Sequence, residues 1–124
     1  SVVGDGGFAH VWSELETLAR TETAIVLTVL NNGVLAYQRD AEDVKFGSHT
    51  GAVYFAPVDH AEIARACGCR GVRVETASDY LPALTEALSA DVATVIDVIV
   101  DAEAYPPITF FDGLDDIRRS RSEP

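Results

Sequence analysis

Largely β-branched, strand-like runs open the chain at Val2-Val3 and return at 24–30 (AIVLTVL), 72–74 (VRV) and 94–100 (TVIDVIV). Each is two to seven residues long, and the run at 24–30 has no polar alternation beyond a threonine, as in a strand covered on both faces. Between the runs the spacing changes. Phe8, Val11, Trp12, Leu15, Leu18 and Ala19 recur every three or four positions, which predicts a helix starting near Phe8. Asp59 and Glu62 form a capping box ahead of Ile63, Ala64 and Cys67, with Gly68 where that helix should stop. Asp79 can cap a further helix through Leu88, with Pro82 in its first turn. This alternation predicts an α/β fold: a three-layer sandwich with a mainly parallel sheet, helices on both faces and right-handed crossovers.

Two stretches fall outside the pattern. Residues 39–57 read as a long loop. Residues 105–124 read as a C-terminal tail with Pro106-Pro107, the bases Arg118, Arg119 and Arg121, and solvated acids at Asp112, Asp115 and Asp116. The remainder, 1–104, is expected to be one domain. Because the chain starts directly in a strand, an N-terminal neighbour from a larger protein is expected to be missing.

Composition narrows the function. With 124 residues, 13.3 kDa and 48% hydrophobic residues, the chain can build one compact core. A formal net charge of −11 would repel a nucleic-acid backbone, so no nucleic-acid partner is expected. No apolar run approaches the roughly 20 residues of a membrane helix, and no signal-peptide pattern is present, so the expectation is a soluble, cytoplasmic protein without a membrane partner. Cys67 and Cys69, one residue apart, suit neither a disulfide framework nor a zinc site and read as reduced, buried thiols.

The chemistry lies where strands end. Parallel sheets bind ligands beyond the carboxyl ends of their strands, and the first two strands run into Gly4-Asp5-Gly6-Gly7 and Asn31-Asn32-Gly33. Glycines there allow close backbone approach, and the amides of a following helix start attract an anion such as diphosphate. The Asp5 carboxylate would repel that anion unless a cation lay between them. Asp5, the amide oxygen of Asn32 and nearby carbonyls are hard ligands suited to Mg2+. A dinucleotide fingerprint is the competing reading, since Gly4, Gly6 and Ala9 satisfy G-x-G-x-x-A. It calls for an acidic residue at the end of the second strand, where Asn31-Asn32 stand instead.

Gly4-Asp5-Gly6, then 24 residues (7 to 30), then Asn31-Asn32 resembles the signature of thiamine-diphosphate-dependent enzymes. The resemblance runs through Phe8, Glu14-Leu15 and the alternating elements, over most of residues 2–107, and is closest to the acetolactate synthase and 2-oxo-acid decarboxylase branch. It implies the thiamine-diphosphate-binding fold, N-terminally truncated, with thiamine diphosphate and Mg2+ as cofactors. It also implies that Asp5, the Asn32 side chain and the Val34 carbonyl hold Mg2+, that the amides of Gly6, Gly7 and Leu35 hold the diphosphate, and that Gly4 is among the cofactor-binding residues. The function so implied is cofactor anchoring in an acetolactate-synthase-like enzyme acting on a small 2-oxo acid. A 2-oxo-acid decarboxylase or another carboligase is the alternative within the family; a non-catalytic binding or assembly module is the alternative of another class.

No residue here matches the glutamate that, in such enzymes, a pyrimidine-binding domain of the same or another subunit supplies to activate the cofactor. No catalytic residue is therefore assigned. The resemblance implies that pyrimidine-binding domain as partner, a homo-oligomer, and an isolated chain that does not decarboxylate pyruvate. His10 near the first helix, and Arg39, Lys45 and His49 in the 39–57 stretch, could face the site or serve packing and solvent. His60 reads as a surface residue, and Trp12 and Tyr37 as buried area or partner contacts.

Overall fold

The computed structural model describes residues 1–104; the expectations for the tail lie outside the described residues. Four parallel strands, β1 (Val2–Gly4), β2 (Val26–Asn31), β3 (Arg70–Val74) and β4 (Thr94–Ile99), form one sheet in the order β1-β2-β4-β3. The expected runs supply all four strands, with ends displaced by a residue or two. Strand β4 takes the centre, where Val95 and Ile96, neighbours in sequence, are both fully buried because they point to opposite covered faces.

Helices α1 (Asp5–Ala9), α2 (Glu14–Arg20), α4 (His60–Ala66) and α5 (Ala77–Leu88) cover the sheet. Phe8, Leu15 and Ala64 pack with Val29 and Val95 on one face; Ala83 and Ala87 pack with Val74 and Ile96 on the other. The three expected layers are present. Each fully buried Phe, Leu or Ile contributes about 1.5–3 kcal/mol relative to exposure. Helix α4 lies especially close to β3: a Cβ at Gly71 would run into the carbonyl of Ala61.

Three expectations need correction. The single helix near Phe8 is two: α1 begins at Asp5, and residues 10–13 interrupt the spiral before α2. Helix α5 starts at Ala77, so Pro82 lies inside it and not in its first turn; Asp79 instead accepts from the hydroxyl of the cap residue Thr76 at 2.8 Å. Residues 39–57 are not a loop. Helix α3 (Ala36–Phe46) and a 3-10 turn (Gly51–Val53) occupy much of the stretch. The buried residues of α3 are Arg39, Asp40 and Asp43, so its inner face carries charge and leaves no apolar period to read.

By contact density the described residues form two compact units. Ser1–Asn32 with Pro57–Asp101 contain the sheet and α1, α2, α4 and α5; Gly33–Ala56 with 102–104 contain α3 and the 3-10 turn. Among the described residues no helix is long and apolar enough to cross a membrane.

Candidate functional site

The C-terminal edge of the sheet in the first unit gathers the polar residues. Parallel pairing places Gly4 beside Leu30, so Asp5 and the pair Asn31-Asn32 leave neighbouring strands at the same edge, as expected. Asp5 is the first residue of α1 and only 6% exposed, and its Oδ1 accepts the Gly6 N–H at 2.9 Å. Gly6 and Gly7 sit in the first turn, where backbone N–H groups lack partners within the helix. Gly4 has an ordinary extended backbone, φ −76° and ψ 156°, and a Cβ there would have nothing within 4 Å. Neither strain nor packing within the protein demands glycine at that position. The open space beside it would admit a ligand against the backbone.

Asn31 is anchored from several sides. Its Nδ2 donates to the Val58 carbonyl at 3.0 Å and to Oδ1 of Asp97 at 3.0 Å. Both partners can only accept, which fixes the orientation of the amide. Its own carbonyl accepts the Val100 N–H at 3.0 Å. Asp97, on the central strand, is fully buried at 0% exposure; its Oδ2 takes the backbone N–H of His60 at 3.0 Å and Nη1 of Arg73 at 3.3 Å. The Arg73 pKa is raised, first by its hydrogen bond to Glu75, against the opposing effect of burial, with Asp97 and Asp59 adding to the rise. Asp59 caps α4 as expected, accepting the Glu62 N–H at 2.8 Å.

His60 is not a surface residue. It is 3% exposed, meets the Phe8 ring edge-on at 5.5 Å between centroids, and its Nδ1 accepts from the indole of the half-buried Trp12 at 3.3 Å. An indole N–H only donates, so the proton of a neutral His60 ring sits on Nε2. The sequence gives no sign of this because each partner lies far away in the chain. His10 is exposed at the end of α1.

Val34 and Leu35 belong to the second unit. Val34 is buried and bridges Tyr54, while the Leu35 N–H donates to the Val53 carbonyl at 2.8 Å; a phosphate oxygen would have to displace that bond. In the same unit His49 is partnered, Nδ1 with Asp43 at 2.9 Å and Nε2 with the Tyr54 hydroxyl at 3.0 Å. Arg39 is buried between Asp40 and Glu103, Lys45 lies 5.1 Å from the Phe46 ring centroid, and Tyr37 is exposed. In the first unit, a cavity of about 300 Å³ lined by Leu18, Ala19, Gly68, Cys69, Val92 and Ala93 lies at the N-terminal end of β3 and β4, opposite the edge that carries Asp5 and Asn31. Cys69 is buried there, and burial, with a smaller effect from Cys67, raises its thiol pKa.

The family model of the thiamine pyrophosphate enzymes, for their C-terminal TPP-binding domain, matches residues 1–98. The chain belongs to this family. Among curated relatives of these TPP enzymes, an acetolactate synthase of Bacillus subtilis is 36% identical over 104 residues, covering 82% of this chain and 18% of the relative. A 2-hydroxyacyl-CoA lyase of Arabidopsis thaliana is 34% identical over 106 residues, with 82% and 18% covered. Among solved structures, a thiamine diphosphate-dependent 4-hydroxybenzoylformate decarboxylase of Rhodococcus jostii RHA1 superposes with a TM-score of 0.77 at 29% identity, over 81% of this chain and 19% of that one. The chain thus spans less than a fifth of the length of these relatives. The α/β fold and the recognition of the TPP family agree with the sequence reading.

The residues present fit the group such a domain binds. Gly4 leaves an opening that a side chain would fill, and the buried carboxylate of Asp5 stands at the same edge as the end of the Asn31-Asn32 strand. Among the described residues no group of three His, Cys, Asp or Glu side chains could hold a metal. One carboxylate supplemented by amide and carbonyl oxygens is instead a donor set for a hard, partly hydrated cation.

Proposed function

We propose that this chain holds Mg2+ and the diphosphate of thiamine diphosphate within an acetolactate-synthase-like enzyme acting on 2-oxo acids. The observation that carries the reading is the buried Asp5 carboxylate at the strand edge it shares with Asn31-Asn32, in a domain of the TPP-binding family. Asp5 and Asn32 would hold the cation, and the amides of Gly6 and Gly7 the phosphate oxygens. The Gly6 N–H now serves Asp5 Oδ1 at 2.9 Å and would have to turn from it, or be shared, to reach a phosphate oxygen. When bound, the cofactor supplies the carbanion that adds to a 2-oxo acid and the electron sink for the charge left when CO2 departs. This chain's own residues bind and orient. The activating carboxylate and the remaining walls of the site come from a pyrimidine-binding domain of the same or another subunit, in a homo-oligomer.

A 2-oxo-acid decarboxylase is the second reading, supported by the likeness to the 4-hydroxybenzoylformate decarboxylase. Both readings share the anchor, which calorimetric titration of thiamine diphosphate tests directly, with and without Mg2+, in the wild type and in Asp5→Ala. Metal-dependent binding abolished by the substitution is the expected result. Binding that ignores Mg2+, or survives Asp5→Ala, would remove the assignment.

A further inference from the structure

We infer that Asp97 is a positioning residue for the Mg2+ and diphosphate anchor, acting through Asn31 on Asn32; this rests on the function proposed above. A carboxylate at 0% exposure in the middle of a sheet is costly unless its charge is compensated, and an apolar residue would fill the place on β4 at lower cost. Asp97 is fully engaged. Oδ1 holds the Asn31 amide, and Oδ2 takes the first backbone N–H of α4 together with the Arg73 guanidinium.

The geometry shows what this arrangement fixes. Both N–H groups of the Asn31 amide are used, one by Asp97 and one by the Val58 carbonyl, while the Asn31 carbonyl is held by the Val100 N–H. That carbonyl belongs to the peptide joining Asn31 to Asn32. With both the side chain and the following peptide tied down, the direction in which the chain leaves β2, and hence the placement of Asn32, is set by groups that never touch the cation. Residues that orient metal ligands in this way tune affinity strongly, with losses of about tenfold or more when they are removed.

The test measures the Mg2+ concentration giving half-maximal thiamine diphosphate binding, by calorimetry, in the wild type, Asp97→Asn, Asn31→Ala, the double variant and Asp5→Ala. Thermal unfolding without ligand shows whether each variant folds. Asp97→Asn keeps the shape but sets an amide among donors, and Asn31→Ala cuts the same link from the other end while leaving Asp97 its His60 and Arg73 partners. We expect each single variant to raise the Mg2+ requirement about tenfold, with binding recovering at saturating Mg2+. The double variant should lose no more than either single one, as for residues acting in one chain of contacts.

If Asp97→Asn does not fold, Asn31→Ala alone decides. An unchanged Mg2+ requirement in a folded variant, or a loss of binding equal at every Mg2+ concentration and parallel to the loss of stability, would overturn the inference and leave Asp97 a structural residue. A wild type whose binding ignores Mg2+ or Asp5→Ala would overturn the anchor and this inference together. Loss with Asp5→Ala but not with the Asp97 or Asn31 substitutions would overturn this inference alone.

Discussion

Two glycines at opposite ends of the same layer show how differently one residue type can be used. Nothing lies within 4 Å of a Cβ at Gly4, whereas a Cβ at Gly71 meets the backbone of Ala61. Gly4→Ala should therefore fold with stability changed by less than about 1 kcal/mol, since alanine restricts the unfolded chain but caps α1 less well, yet bind thiamine diphosphate and Mg2+ more weakly. Urea unfolding and titration on the same sample separate the two effects; equal binding would show that nothing approaches Gly4 closely. Gly71→Ala should do the reverse. It forces α4 away from β3 and should cost about 1–3 kcal/mol in urea unfolding, as overpacking does. The sequence marks Gly4 through its motif, but Gly71 is inconspicuous until Ala61, ten residues earlier, is found lying across it.

Among the elements, those with an apolar period were legible and α3 was not. Its inner side carries Arg39, Asp40 and Asp43, and its stability draws on polar closure. Glu42 accepts from Gln38 Nε2 at 2.9 Å and from the Thr50 N–H at 2.8 Å, tying the helix to the segment after it. The hydrogen bond from Gln38, then that from Thr50, holds the Glu42 carboxyl below its usual pKa. A carboxyl with a depressed folded-state pKa stabilises the fold above its unfolded-state pKa, and that contribution is lost as pH falls through the folded value. The tie should therefore hold at neutral pH and release only below the ordinary glutamate range. The Glu42 carboxyl resonance, followed by NMR against pH, should titrate below that range and move upward in Gln38→Ala; a midpoint unmoved by the substitution would count against the tie.

Over the whole molecule, the strands converge on a single edge, and the ligand proposed for that edge should stabilise the fold. At a cofactor concentration one hundred times its Kd, binding to the folded state alone adds about 2.7 kcal/mol. For a domain of this size that corresponds to a rise in melting temperature on the order of 10 °C. Thiamine diphosphate with Mg2+ should produce that rise, and EDTA should abolish it. A rise that persists in EDTA would mean that the cofactor is held without a divalent cation.

The sequence by itself determined the class of fold, the parallel strands and the meeting of Gly4-Asp5-Gly6-Gly7 with Asn31-Asn32 at one edge. Those features follow from local periodicity and from the rule that parallel strands end together. The capped helix at Asp59 was legible for the same reason, since cap and capped amide lie three residues apart. Only the tertiary structure decided that Asp97 grips Asn31 across 66 positions, that His60 is buried against Phe8 and Trp12, and that α3 turns charge inward. A charged or polar residue has no burial written into its own chemistry. It goes inside only where distant parts of the chain bring the donors and acceptors that replace water, and that coincidence exists only once the chain has folded.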